Sequence, residues 1–287
     1  MYRIVNKEVL APDISLIEIK APLVAGKAKA GQFVILRLWE GGERIPLTIA
    51  DFDRERGTIT CVFQEVGKTT RQLGTLEAGD KLKDFAGPLG LPSRIQNFGS
   101  VVCIGGGVGV APVYPIARAL KDAGNEVTGI VGARNRELLF WEDRMRAACN
   151  RLLVATDDGS YGLHGFVTDL LREVIGEKKE LDLCIAIGPL PMMRAVSSLT
   201  REYGLKTVVS LNSIMVDGTG MCGCCRVTVG GETKFTCVDG PEFDGHLVDF
   251  EEMARRSVIY KPMEQLALEL YLGETGHRCS CVRGGEK

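Results

Sequence analysis

"VVCIGGGVGVAP", residues 101–112, decides how the chain is read. The run is uncharged and long enough to suggest the start of a membrane span. Glycines and prolines interrupt it just beyond the short apolar VVCI, which fits a strand, a loop and a helix better. A glycine loop between a strand and a helix gathers backbone N–H groups and a helix N-terminus around an anion, above all a pyrophosphate. Gly105, Gly106, Gly107 and Gly109 permit the tight turn and a close ligand approach. Ala111 and Pro112 open the helix, and proline suits a first turn that has no N–H partner to lose.

Outward from this loop the same unit recurs. EVTGIVGA, RLLVAT, LDLCIAIG and TVVSLN read as strands; ELLFWEDRMRAAC, GFVTDLLREVIG and PMMRAVSSLTREYG read as the helices between them. Such alternation predicts a doubly wound parallel sheet. Three further loops follow predicted strands, where the ligand crevice of an open sheet lies. GARN (132–135) offers Gly132, Ala133 and Arg134; TDDGSYG (156–162) offers Asp157 and Asp158; GPLPMM (188–193) offers Gly188, Pro189 and Met192. Arg134 and Arg136 could read a 2′-phosphate, but Glu137, Asp157 and Asp158 oppose one, so NAD(H) is expected over NADP(H).

Upstream the pattern differs. RIVNKEVL, ISLIEIKA, QFVILRLW and GTITCVFQEV are short, β-rich and separated by Gly, Pro and Asp turns, which predicts a small barrel. GPLGLPSR (87–94) reads as a hinge and boundary. Within the barrel, ERIPLTIAD (43–51) supplies Arg44, Pro46, Leu47 and Thr48, and a neighbouring strand ends on Phe63 and Gln64. VGKTTRQL (66–73) reads as a helix start whose Gly67, Thr69 and Thr70 point donors at an anion.

Downstream, residues 215–237, "MVDGTGMCGCCRVTVGGETKFTC", break the βα rhythm and hold four of the ten cysteines. Three of these and an aspartate fall in the pattern D-x4-C-x2-C-x11-C. Loops of this kind let thiolates wrap an iron–sulfur cluster. Two other readings stay open: a structural zinc held by the four cysteines, and Cys224 as the fourth iron ligand. Against the latter, neighbouring residues in an extended loop point opposite ways. Cys61, Cys103, Cys149 and Cys184 lie in apolar runs and read as core residues. Cys279 and Cys281 in the polar tail have no evident role.

Barrel, glycine loop and cysteine segment in this order resemble the ferredoxin reductase-like flavoproteins. The cysteine spacing is similar to the two-iron site of the electron-transfer subunits of type B dihydroorotate dehydrogenases. With Asp217 in the first ligand position and "CVDGPEFDGHLVDFEEMARR" after it, the chain looks most like the small subunits of NADH-dependent reduced ferredoxin:NADP+ oxidoreductases, also described as sulfide dehydrogenase small subunits. The resemblance runs from RIPLTIAD to EEMARR. It implies FAD on the barrel, NAD(H) on the glycine loop, and a [2Fe–2S] cluster held by Asp217, Cys222, Cys225 and Cys237. In the family an Arg-x-x-Ser/Thr signature binds flavin; here Arg44 stands one residue too far from Thr48. The resemblance further implies a larger flavin and iron–sulfur partner subunit, and through it ferredoxin and NADP(H). Hydride passing between stacked rings needs geometry and no protein acid or base, so no catalytic side chain is expected. Competing readings are the electron-transfer subunit of a dihydroorotate dehydrogenase, and a non-enzymatic module sensing NAD(H) or redox state.

The expected division is a flavin barrel over 1–95, an NAD(H) domain over 96–214, a cluster segment over 215–250 and a helical tail over 251–287. A net charge of −2 gives no basic excess for nucleic acid. MYRIVNKEVL lacks an apolar signal core, and ten cysteines without one suggest thiols and metal ligation; no membrane span and a cytoplasmic location are expected.

Overall fold

The computed structural model describes residues 1–177 and 180–275; Cys279 and Cys281 lie outside the described residues. The β-rich first third forms β1 (Tyr2–Ala11), β2 (Ile14–Lys20), the one-turn α1 (Pro22–Ala25), β3 (Phe33–Arg37), β4 (Arg44–Asp53), β5 (Thr58–Gln64), α2 (Lys68–Gly74), β6 (Lys81–Leu82) and β7 (Asp84–Leu89). Their order in the antiparallel sheet is β6-β1-β2-β5-β4-β3-β7. Only Lys83 separates the two edge strands, and its N–H bonds to carbonyls of Arg37 and Leu38 beyond β3. The sheet therefore curls into a nearly closed barrel around Ile17, Val34, Leu36, Ile49 and Phe63. Gly87 and Pro88 lie within β7 and not in a hinge. Gly87 leaves no room for a side chain beside Val34, so the strand runs close against β3, and the proline stands near its end.

The βα rhythm then builds β8 (Ser100–Gly106), α3 (Val110–Asp122), β9 (Glu126–Ala133), α4 (Glu142–Ala148), β10 (Arg151–Thr156), β11 (Leu163–His164), α5 (Val167–Glu177), β12 (Leu183–Ile187), α6 (Leu190–Glu202) and β13 (Thr207–Ser210). Helix α4 starts later than its apolar pattern predicts, because Trp141 adopts a left-handed φ of +56° and only then does the helix begin. The cysteine segment supplies β14 (Arg226–Val229), β15 (Glu232–Phe235) and β16 (Glu242–Asp244), followed by α7 (Phe250–Ser257) and α8 (Lys261–Thr275). The second sheet is ordered β11-β10-β9-β8-β12-β13-β16, parallel except for β16, which pairs antiparallel with β13. Strand order reverses between β8 and β12, the switch point at which open sheets bind ligands. Among the described residues no helix is long and apolar enough to cross a membrane.

Candidate functional site

At the switch point the glycines divide their tasks. A Cβ on Gly109 would lie 2.2 Å from the Ile187 carbonyl oxygen, and one on Gly106 2.3 Å from the Met192 sulfur. A Cβ on Gly105 would lie 2.9 Å from the Val110 Cα, so these three allow loop, helix and β12 to close together. Gly107 has φ +54° and open space where a side chain would be, leaving its backbone accessible to a ligand. Gly188, in the loop after β12, packs against Met192 and the Gly106 carbonyl, which brings Pro189 and Met192 to the crevice. Ala111 and Pro112 are buried in the first turn of α3 and can offer only backbone.

The loops after β9 and β10 are tied together. Asp157 N–H donates to the Ala133 carbonyl at 3.1 Å and Asp158 N–H to the Arg134 carbonyl at 3.2 Å. Gly132 admits no side chain beside Val167. Asp158 Oδ1 accepts from the Ser160 hydroxyl at 2.6 Å and its N–H at 2.9 Å, which holds the carboxyl below its usual pKa. Ser160 in turn accepts from the Arg136 N–H, and the Arg136 guanidinium lies 5.3 Å from the Tyr161 ring centroid. Arg134, Arg136, Asp157 and Asp158 are all exposed.

On the barrel, register sorts the candidate residues by face. Phe33 pairs with Thr48, Ile35 with Pro46 and Arg37 with Arg44, and paired residues of an antiparallel ladder share a face. Leu47 packs against the barrel core and Phe63 is buried within it. The side chains of these two therefore point away from the outward face, and contacts there would fall to Arg44, Pro46 and Thr48. Gln64 closes β5 opposite Ile14. Helix α2 begins at Gly67, whose N–H donates to the Thr70 hydroxyl at 3.0 Å. Thr69 is buried and its hydroxyl bonds to the Glu43 carboxylate, a partner without a sequence signal because it comes from the opposite loop.

The cysteine segment sits on the same outward barrel face. Phe33 and Ile35 share a small core with Met215, Cys225 and Cys237, and Leu89 and Phe235 pack against it. A Cβ on Gly218 would lie 2.7 Å from Ile35. The β14–β15 ribbon joins Arg226 to Phe235 and so brings its flanking residues together. Cys225 and Cys237, only 3% and 2% exposed, stand with their sulfurs 3.2 Å apart. Burial, then contact with Cys225, pushes the Cys237 thiol up to about 12. Cys222 is exposed, and the Cys224 N–H approaches its sulfur at 3.5 Å. That bond first, with further N–H groups of Asp217 and Val216, lowers the Cys222 thiol pKa.

Asp217 shapes the loop ahead of it. Its Oδ2 accepts from the Thr219 hydroxyl at 2.5 Å, the Thr219 N–H at 3.0 Å and the Met221 N–H at 3.2 Å. The Thr219 hydroxyl first, with the charge of Arg44 contributing, lowers its pKa. The Cys224 carbonyl accepts from Arg256 of α7 at 2.9 Å, and burial first, with Cys222 nearby, raises its thiol. Cys225 and Cys237 are brought together, whereas the Asp217 carboxylate is bonded within its own loop, and among the described residues no three His, Cys, Asp or Glu side chains are gathered as around a metal ion.

Two family models match the chain. The iron–sulfur cluster binding domain of dihydroorotate dehydrogenase B covers residues 212–249, and the oxidoreductase NAD-binding domain covers 103–198. A dihydroorotate dehydrogenase B (NAD+) electron transfer subunit homolog of Thermotoga maritima is 49% identical over 276 residues, 96% of this chain and 97% of the relative. The dihydroorotate dehydrogenase B (NAD+) electron transfer subunit of Geobacillus thermodenitrificans is 32% identical over 249 residues, 84% and 94% of the two chains. A structure of NADH-dependent reduced ferredoxin–NADP oxidoreductase superposes with a TM-score of 0.91 at 47% identity, over 95% of this chain and 98% of that one.

Proposed function

From the chain's membership of the electron-transfer subunit family of dihydroorotate dehydrogenase B and its homologues, we propose that it is the NAD(H)-facing subunit of an electron-bifurcating, NADH-dependent ferredoxin:NADP+ oxidoreductase. The observation that carries this reading is the shared outward face of β3 and β4. Thr48 and Pro46 on β4 stand beside Phe33 and Ile35 on β3, and the latter two support Cys225 and Cys237. A ligand on the flavin signature and a cluster in the cysteine loop therefore rest on neighbouring strands of one rigid wall.

When bound, the flavin accepts hydride as an electron pair and releases single electrons, the only currency a two-iron cluster carries. The chain's own residues do the rest. Gly107 and the first turn of α3 hold the pyrophosphate of NAD(H), while the loops at Gly132–Arg134 and at Asp157 and Asp158 meet its adenosine half. Exposed carboxylates at Asp157 and Asp158 favour NADH over NADPH. Arg44, Pro46 and Thr48 hold the flavin ring, and the Gly67 turn at α2 reaches a second phosphate, which assigns FAD over FMN. Asp217, Cys222, Cys225 and Cys237 would hold the two-iron cluster, which would carry one electron at a time.

We assign flavin binding to 1–95, NAD(H) binding to 96–214 and the cluster to 215–250, followed by a tail over 251–287, in the cytoplasm. Members of this family are electron-transfer subunits, so a larger partner subunit completes the enzyme. Ferredoxin and NADP(H) act on that partner. The second reading, a dihydroorotate dehydrogenase subunit, rests on the 32% identical relatives, and Asp217 speaks against it. The complex purified with its partner is tested by mixing with NADPH, NAD+ and ferredoxin, and separately with dihydroorotate. Coupled reduction of NAD+ and ferredoxin by NADPH supports the proposal; flavin bleaching by dihydroorotate overturns it in favour of the second reading.

A further inference from the structure

We propose that Asp51 is a positioning residue: with Arg118 it forms the joint that registers the flavin strand against the nucleotide helix, and so sets the gap across which nicotinamide and flavin meet. The proposal rests on placing flavin on β4 and NAD(H) on the glycine loop. The two halves of the molecule share one apolar core, in which Leu16, Ala50 and Val62 of the barrel join Val110, Val113 and Ala117 of α3. Apolar burial holds the halves together but has no direction, so it fixes their distance better than their register. Hydride transfer is sensitive to register, since reacting atoms must approach to roughly 3–3.5 Å.

Asp51 and Arg118 supply the direction. Arg118 Nη2 donates to Asp51 Oδ1 at 2.7 Å and Nη1 lies 3.4 Å from Oδ2, a two-point contact. Asp51 stands three residues beyond Thr48 on the same strand, about 10 Å along it. Arg118 stands nine residues beyond Gly109 on the helix that the glycine loop opens, about 13 Å along it. The pair therefore ties together the two elements that carry the two ligands.

The surroundings fit such a joint. Register along β4 and β5 shifts between Ile49 and Asp51, and the extra residue re-aims Asp51 outward, although strand alternation would have turned it into the barrel. The Phe52 N–H holds the carboxylate from its own strand at 2.9 Å. Arg118 lies 4.9 Å from the Tyr114 ring centroid and donates to the Tyr114 hydroxyl at 3.1 Å. A second cation, Arg144 of α4, reaches to 4.0 Å from Asp51 while stacked 4.4 Å from the Trp141 ring centroid. Both guanidiniums are held on aromatic rings, so little freedom is lost in pairing. Asp51 and Arg118 side chains remain 22% and 37% exposed. A pair this accessible adds little to stability, so its removal should be felt in geometry first.

The test uses the complex with its partner subunit and four variants: Asp51→Asn, Arg118→Gln, the double variant, and Arg118→Lys, which keeps the charge and loses the two-point fork. Flavin content and NADH affinity are measured first; absence of flavin or of NADH binding in the unaltered complex sinks the underlying placement and not the joint. Then the limiting rate of flavin reduction, the long-wavelength charge-transfer band of the nicotinamide–flavin stack, and amide exchange in β4 and α3 are compared. Asp51→Asn should lower the limiting rate about tenfold, weaken the band and speed amide exchange, with NADH affinity and flavin content unchanged. Arg118→Gln should match it, the double variant should be no worse than either, and Arg118→Lys should fall between. Unchanged rate and band in Asp51→Asn, or losses that merely follow flavin content, overturn the proposal.

Discussion

The glycine loop at 105–109 and the cysteine loop at 217–225 are both rich in glycine, and they use it for opposite ends. Around β8 three glycines are present because there is no space: β12, α3 and Met192 close on them from all sides. In the cysteine loop Gly218, Gly220 and Gly223 have φ of +80°, +87° and +64°, so glycine there serves the path of the chain, with Gly218 also pressed against Ile35. The first site is cast by packing between strands and helix and keeps its shape empty. The second is a path of tight turns resting on a five-residue core and a two-stranded ribbon, with Asp217 and backbone N–H groups supplying local bonds.

The largest effect should come from placing a side chain in the packed loop. Gly109→Ala puts a Cβ 2.2 Å from a carbonyl oxygen of β12, where backbone would have to move. A loss of about 3 kcal/mol is expected, read as a fall in unfolding midpoint together with NADH affinity. Gly223→Ala meets nothing closer than 3.5 Å and pays only for its left-handed φ. Roughly 1 kcal/mol is expected there, with iron content reduced and NADH affinity intact. Equal global losses in the two would erase the distinction drawn between the loops.

Next comes removal of one thiolate from the buried pair. Cys237→Ser should lose the cluster, with iron and sulfide per chain falling close to zero in chemical assay. Flavin content and the NADH dissociation constant should stay within about twofold of the unaltered chain, because the switch-point crevice shares no ligand with the cysteine loop. Collapse of both sites together would show that the barrel face depends on the cluster.

A finer effect separates the remaining proposed ligands from Cys224. Asp217→Ala should leave a labile cluster, since it opens one iron to water and also frees the Thr219 and Met221 N–H groups. Asp217→Cys should retain the cluster with an altered potential. Cys224→Ser should keep two irons per chain, because the proposed ligand set does not include it. Asp239→Ala removes one bond to the Phe235 N–H and serves as the tolerated control. Retention in Asp217→Ala with loss in Cys224→Ser would move the fourth ligand to Cys224.

What could be read from residues alone follows the same division. The crevice was legible because packed glycines, strand–loop–helix order and βα repetition all leave local marks, and the switch point follows from them. The Asp and Cys spacing stands in the sequence, but the closeness of Cys225 and Cys237 depends on the β14–β15 ribbon, which closes only in three dimensions. Short edge strands such as β6 and β16 carry too few residues for a period and exist through their partners. The sequence suggests Leu47 and Phe63 as flavin contacts, yet strand register turns their side chains toward the barrel core. The Glu43–Thr69 bond and the Asp51–Arg118 pair join residues far apart in the chain, and nothing local announces either.

The smallest effect concerns how the cysteine segment is tied back to the rest. Glu242 on β16 accepts from the Ser93 hydroxyl in the stretch between barrel and sheet, and burial holds its carboxyl above the usual range. A folded pKa above the unfolded value of about 4.3 means that ionisation opposes folding. The stability Glu242 contributes is fully present below the unfolded pKa and is lost as pH rises through the folded one. Glu242→Gln keeps an oxygen for Ser93 and removes the charge. The variant should therefore match the unaltered chain near the acid end and exceed it in stability at pH 8. Denaturant unfolding of flavin-loaded protein between pH 5 and pH 8 checks this, with the gap between the two proteins widening as pH rises. A gap that is constant, or that favours glutamate at pH 8, would mean that the ionised carboxylate stabilises this tie, and that the cysteine segment is anchored as firmly as the crevice it was contrasted with.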